Sequence, residues 1–283
     1  MPNLIDLRRR IRSVANIRQI TRAMKMVAAA RLRRSQERMF QFRPYSDKML
    51  EMLQSLAART RPEEHPLLAC REEEKICLMI LTGDKGLCGS FNNNIIKKAS
   101  VFLKEHSDRD LSLITVGKRG ELFFKKRPHP IRHRIVDIFS RLSYEHATVI
   151  SQQIINDYTS REVDAVYMVY NEFKNVLQQR IVVRKLLPIE GLVPAEGERL
   201  TGYIYEPAEQ EIFSRLLPKY VEVEIYRALV ESGAAENGAR MSAMDSATNN
   251  STEMMENLTL VMNKIRQAAI TKEIIEVVSG AGM

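Results

Sequence analysis

Residues 3–43 read NLIDLRRRIRSVANIRQITRAMKMVAAARLRRSQERMFQFR. Leu4, Leu7, Ile11 and Val14 recur at intervals of three and four, the period of one helix face. Ile17, Ile20, Met24 and Val27 continue the pattern after a slip of phase behind Val14, which predicts a local change in coiled-coil winding. No Gly or Pro interrupts the stretch, so one long helix is predicted. Pro44 need not end it, whereas RPEEHP at 61–66 marks a loop.

The other end of the chain carries a matching arm. Met244, Ser251, Leu258 and Ile265 are spaced by seven, and Ala247, Met254, Val261 and Ala268 form the companion row of an a/d seam. Pro218 is expected to interrupt this arm near its start, and Gly233 and Gly238 weaken it without ending it. From Lys219 to Ser279 it would run roughly 90 Å at 1.5 Å per residue. Two long helices at opposite ends of one chain predict an intramolecular antiparallel coiled coil.

Between them the pattern changes. Residues 76–82, 111–116, 163–169 and 181–189 read as short apolar strands. Helices are predicted from about Phe91 to His106, from Gly117 through Phe124, and over 144–158. Strands alternating with helices predict a central, Rossmann-like α/β domain with a mostly parallel sheet. The fold class is therefore α/β plus a long antiparallel coiled coil. The expected division is 1–61 as the N-terminal arm, 62–74 as a linker, 75–190 as the α/β domain, 191–206 as a loop, and 207–283 as the C-terminal arm.

Composition bounds the function. The chain has 283 residues, 45% of them hydrophobic and 28% charged, enough for a sizeable core. No apolar run reaches the 18 residues a membrane span needs. The Arg-rich start flows without a break into the helical pattern, so it reads as mature structure rather than a targeting peptide. Three cysteines, Cys70, Cys77 and Cys88, argue against a disulfide scaffold and for a reducing compartment. Residues 1–43 hold 12 Lys/Arg against Asp6 and Glu37, while the remainder has 31 basic and 33 acidic residues. The basic character thus belongs to the first arm, which suits an acidic protein surface, acidic lipid or nucleic acid.

The loop Gly83-Asp84-Lys85-Gly86-Leu87-Cys88-Gly89-Ser90 follows a strand and precedes a helix, where phosphate-binding loops sit. Neither G-x-x-x-x-G-K-[ST] nor G-x-G-x-x-G is present, so it reads as a structural strand-to-helix turn. His129 and His133 are four apart, but prolines flank His129 and no HExxH glutamate exists. No catalytic, cofactor or metal residues are assigned. Met24, Met26, Met39, Met241, Met244, Met254, Met255 and Met262 cluster in the two arms, where they suit a core or soft contact with a surrounding partner. Ile274, Ile275, Val277 and Val278 leave the last stretch apolar on several faces, which calls for a partner beyond one companion helix.

Residues 11–29, IRSVANIRQITRAMKMVAA, with Arg43-Pro44-Tyr45, resemble the N-terminal signature of ATP synthase gamma subunits. Residues 263–274, NKIRQAAITKEI, and 278–281, VSGA, resemble the family's C-terminal signature, and residues 84–92, DKGLCGSFN, also match. The resemblance implies a non-catalytic rotor shaft that couples proton flow to ATP synthesis. It places the paired arms inside a hexamer of alpha and beta subunits and the α/β domain against the epsilon subunit and the membrane c-ring. By the same resemblance Met24, Arg266, Gln267, Thr271 and Glu273 meet the beta subunits, and Tyr203, Tyr205 and Glu206 meet the c-ring and epsilon. The implied location is the cytoplasmic side of a bacterial inner membrane, peripheral, without direct insertion. The regulatory cysteine pair of the chloroplast form is not expected, since no Cys follows Cys88. The residues alone leave two other readings: a basic coiled-coil nucleic-acid-binding protein, and an enzyme built on the 83–90 loop.

Overall fold

A computed structural model describes residues 4–58, 65–175, 179–190, 192, 206 and 208–280. Two helices dominate it, α1 (Leu4–Ala57) and α5 (Glu209–Gly280). The chain forms two compact units, one of residues 1–29 with 240–283 and one of residues 30–239. Each long helix therefore serves both units. Among the described residues no helix is long and apolar enough to cross a membrane.

The larger unit is built on a five-stranded sheet of order β3-β2-β1-β4-β5. Its strands are β1 (Lys75–Leu81), β2 (Asp110–Val116), β3 (Ile131–Ile135), β4 (Ala165–Phe173) and β5 (Gln179–Leu187). β1 runs parallel to β2 and β4, and β2 parallel to β3. Only β5 is antiparallel, against β4. Helices α2 (Phe91–Glu105), α3 (Lys118–Phe124) and α4 (Tyr144–Thr159) make the connections. β1 and β2 are buried at every position but their first, the burial expected of a sheet covered on both faces. The strand order is that of dinucleotide-binding folds, and the mostly parallel sheet agrees with the sequence reading.

β3 was not anticipated. Its sequence, IRHRI, alternates half-buried and exposed positions, so it carries no continuous apolar run. Its His133 Nε2 lies 2.9 Å from Asp157 Oδ2 of α4. Among the described residues no group of three or more His, Cys, Asp or Glu could hold a metal ion.

Within this unit residues 30–57 of α1 and 209–239 of α5 complete the core. Met49, Leu53 and Leu56 of α1 and Phe213, Leu217, Val221, Val223, Ile225 and Leu229 of α5 are all buried. α5 continues unbroken through Pro218, contrary to the expected interruption. An internal proline costs a helix about 3 kcal/mol. Phe213, Leu217 and Val221 beside it are completely buried, and each contributes about 1.5–3 kcal/mol by burial. Packing thus outweighs the break. α1 likewise passes through Pro44. Most of the predicted loop at 61–66 lies outside the described residues.

Candidate functional site

In the smaller unit α1 and α5 pair as antiparallel arms. The inward positions of α1 are Leu4, Leu7, Ile11, Val14, Arg18, Thr21, Lys25 and Ala28, in unbroken steps of three and four. Those of α5 are Met241, Met244, Thr248, Ser251, Met255, Leu258, Met262, Ile265 and Ala269. The middle of the seam is polar. Thr248 donates a hydrogen bond to the Thr21 hydroxyl at 2.8 Å, and Thr21 donates to the Arg18 carbonyl at 3.1 Å. Lys25 Nζ reaches Asp245 Oδ1 at 2.5 Å.

Two sequence expectations are corrected here. α1 has no slip of phase after Val14: Ile17, Ile20 and Val27 are 48%, 58% and 52% exposed, while Arg18, Thr21 and Lys25 keep the seam in register. On α5 the row Ala247, Met254, Val261, Ala268 is not the companion row; Met254 and Val261 are exposed, and Thr248, Met255, Met262 and Ala269 take the inward places. Each arm therefore carries a second stripe of apolar residues, about a third of a turn from the seam at roughly 100° per residue, that the other arm does not cover. The signal was present in the sequence as two apolar rows per helix, but periodicity cannot tell which row meets the companion helix.

The placement of the expected contact residues follows. Met24 lies half-buried in the outer stripe of α1, beside Lys25. Arg266, Gln267, Thr271 and Glu273 are all exposed on α5. Measured from Ile265 and Ala269, helical geometry puts Gln267 and Thr271 opposite the seam and Arg266 and Glu273 on its flanks. The Thr271 hydroxyl donates to the Gln267 carbonyl at 2.9 Å, a local helix bond that leaves both side-chain faces outward. The contacts at Lys25–Asp245 and Thr21–Thr248 pair residues whose numbers sum to 269–270. Leu4 then faces about Ile265, and α5 from Ile270 onward runs past it. Along that stretch Ile274, Ile275, Val277 and Val278 are 58–70% exposed. Tyr203 and Tyr205 lie outside the described residues, and Glu206 is exposed.

The larger unit holds the other candidate, the crevice beyond the carboxyl ends of β1 and β4, where such sheets bind nucleotides. Its loop is closed by its own bonds. The Gly83 N–H donates to Asn92 Oδ1 at 2.8 Å, and Asp84 Oδ1 accepts from the Lys118 and Asp137 N–H groups at 3.1 and 3.0 Å. Glu236 of α5, itself buried, stands against Gly83: a methyl there would lie 2.7 Å from its carboxylate carbon and one oxygen. A carboxylate of the chain thus occupies ground beside the loop where a phosphate would approach.

The ATP synthase family model matches residues 3–282. The ATP synthase gamma chain of Solibacter usitatus (strain Ellin6076) is 48% identical over 285 residues, covering 99% of both chains. That of Geobacter sp. (strain M21) is 44% identical over 283 residues, covering 99% of this chain and 98% of the relative. Among solved structures, a chain of the Tetrahymena thermophila mitochondrial ATP synthase central stalk and c-ring matches with a TM-score of 0.62 at 25% identity, covering 81% of this chain and 99% of its own. A chain of the Euglena gracilis mitochondrial ATP synthase shares the fold, with a TM-score of 0.69 at 19% identity over 98% of this chain and 92% of its own.

Proposed function

This chain belongs to the ATP synthase gamma-chain family, and we propose that it is the rotating central shaft of an F-type ATP synthase, turned by a c-ring and carrying that motion to catalytic beta subunits. The observation that carries the proposal is the second apolar stripe on each arm, with the apolar run of α5 beyond Ile270. Apolar surface that no part of the chain covers calls for a partner. Non-directional contact suits a partner surface past which a shaft must turn. An alternating alpha and beta hexamer would surround the arms, and epsilon and the c-ring would meet the α/β domain and, in the loop that follows it, Tyr203, Tyr205 and Glu206. The basic face of the first arm then meets acidic protein, and the nucleic-acid reading has no further support.

The chain supplies no catalytic group in this reading. Its crevice holds Glu236 rather than a phosphate loop, and it binds no cofactor. It works peripherally, at the cytoplasmic side of a bacterial inner membrane, in keeping with its bacterial relatives. An asymmetric shaft presents a different face to each beta subunit and favours a different conformation in each. Met24, Arg266, Gln267, Thr271 and Glu273 are the residues proposed to do so. Arg266 offers a forked donor and Gln267 both a donor and an acceptor. Such bonds form at one rotor angle and break at the next. Each charge-assisted bond biases the equilibrium by about 1.5–3 kcal/mol.

The test is Arg266→Ala with Gln267→Ala in the assembled complex. Both side chains are exposed and alanine favours helix, so assembly should be complete. Steady-state ATPase turnover should fall several-fold. Wild-type turnover at full assembly would make these residues a solvated helix face.

A further inference from the structure

Four glutamates of α5 are buried where the helix passes through the larger unit: Glu222, Glu224, Glu231 and Glu236, each less than 8% exposed. α5 is covered around almost its whole circumference there, yet these charges sit among its apolar residues. Each reaches a different part of the fold. Glu222 accepts from the Thr148 hydroxyl of α4 at 3.2 Å. Glu224 pairs with Arg184 of β5 and accepts from the Ser46 hydroxyl of α1 at 3.5 Å. Glu231 lies 3.5 Å from Arg43 of α1 and 3.3 Å from Arg227 on its own helix. Arg43 also donates to the Phe173 carbonyl at the end of β4, at 3.3 Å. Glu236 stands against Gly83, behind β1.

At about 100° per residue, Glu222 and Glu236 fall on one side of α5 and Glu224 and Glu231 on the other. Apolar packing is non-directional. Directional bonds on opposite sides of a helix oppose its rolling about its own axis. Burying charges is a poor route to stability, since apolar residues of similar volume do as well or better. Glu231 shows the cost: burial pushes its carboxyl pKa up, against the opposing pull of Arg227 and Arg43. One of its oxygens makes no hydrogen bond.

We propose that Glu222, Glu224, Glu231 and Glu236, with Arg184, Arg43 and Thr148, are positioning residues that key α5 to the α/β domain and α1, so that torque entering the domain turns the helix instead of slipping around it. The inference rests on the rotor reading. It predicts that the keys set the torsional stiffness of the shaft, while the fold survives without them.

The test replaces the Glu224–Arg184 pair by apolar residues, Glu224→Leu with Arg184→Met, in the complete complex. Three quantities are read: the melting temperature of the purified chain, the angular spread of a probe on the α/β domain when rotation is stalled, and protons pumped per ATP hydrolysed in membrane vesicles. The chain should melt near the wild type, the angular spread should widen, and pumping per ATP should fall several-fold. The conservative Glu224→Gln should lie between the variant and the wild type in spread. Should the double variant fail to assemble, Glu222→Gln with Glu231→Gln, which nearly preserve shape, serves the same measurement. Unchanged spread and pumping in an assembled variant overturns the keying proposal. A wild-type complex in which the probe does not rotate at all overturns the rotor reading instead.

Discussion

Gly117→Ala tests how tightly the turn after β2 is packed against the chain that follows β1. Gly117 sits between β2 and α3 with φ +92°, where a side chain is strained. Its missing Cβ would lie 1.9 Å from the Thr82 carbonyl oxygen. That strand end cannot yield easily. The Thr82 N–H donates to the Val116 carbonyl at 2.8 Å, the Gly117 N–H to the Ile135 carbonyl at 2.8 Å, and the Gly120 N–H to the Thr82 hydroxyl at 2.8 Å. The disfavoured backbone costs about 1–3 kcal/mol, and forcing a methyl into packed backbone adds about 1–3 kcal/mol. Three positions then rank themselves. At Gly86 a methyl meets only the far end of the Arg119 side chain, at 2.8 Å, which can swing away. At Gly83 it meets the buried Glu236 carboxylate, which has less room. Thermal unfolding of the purified chains, followed by circular dichroism, should give Gly86→Ala near the wild type, Gly83→Ala lower, and Gly117→Ala lowest by roughly 10 °C, taking 2–4 °C per kcal/mol. A Gly117→Ala chain that melts with the wild type would refute the view that this turn is held by backbone packing.

Cys70 is exposed while Cys77 and Cys88 are buried, and burial pushes the Cys77 thiol up to about 12, with Ser112 and Arg132 opposing; a thiol reagent at neutral pH should label Cys70 alone, and dithiothreitol should leave the complex's ATPase unchanged. Reversible activation by reduction, lost on Cys→Ser replacement, would contradict this. Met24→Lys should allow assembly but weaken coupling of hydrolysis to pumping, because it puts an ammonium in the outer apolar stripe where it can bind acidic groups of a neighbour; unchanged pumping per ATP in vesicles would count against that stripe as the bearing surface.

The sequence made the large features legible because they rest on long-range periodicity. The two arms, the strands β1, β2, β4 and β5, and the helices between them all show an apolar period over several turns or a continuous run. β3 escaped because an edge strand with isoleucine only at its two ends and Arg-His-Arg between them looks like a charged loop. Pro218 misled because its penalty is local while the packing of Phe213, Leu217 and Val221 that offsets it is tertiary. The same limit hid the keyed glutamates. A Glu in a helical pattern reads as solvated until the structure places Arg184, Arg43 or Thr148 beside it.

The misassigned rows of the arms carry the more general point. Each arm offers two apolar stripes, and nonspecific hydrophobic attraction would pair either stripe of one with either stripe of the other. Turning the other stripe of α1 inward would bury Met24, one of the proposed contact residues. What distinguishes the chosen seam is its polar middle. Thr21 meets Thr248 and Lys25 meets Asp245, and each bond has a partner only when these faces oppose each other. A half-exposed ion pair adds little stability, about 0–1 kcal/mol. A mispaired arrangement, however, would turn Arg18, Thr21 and Lys25 away from these partners and bury Ile17, Ile20 and Val27 in their place. The polar groups thus act less as glue than as selection of which face turns inward, as buried polar residues do in coiled coils generally. The cost of that selection is a weaker seam. Its consequence is that Ile17, Ile20 and Val27 of α1 and Met254 and Val261 of α5 are left for whatever surrounds the shaft.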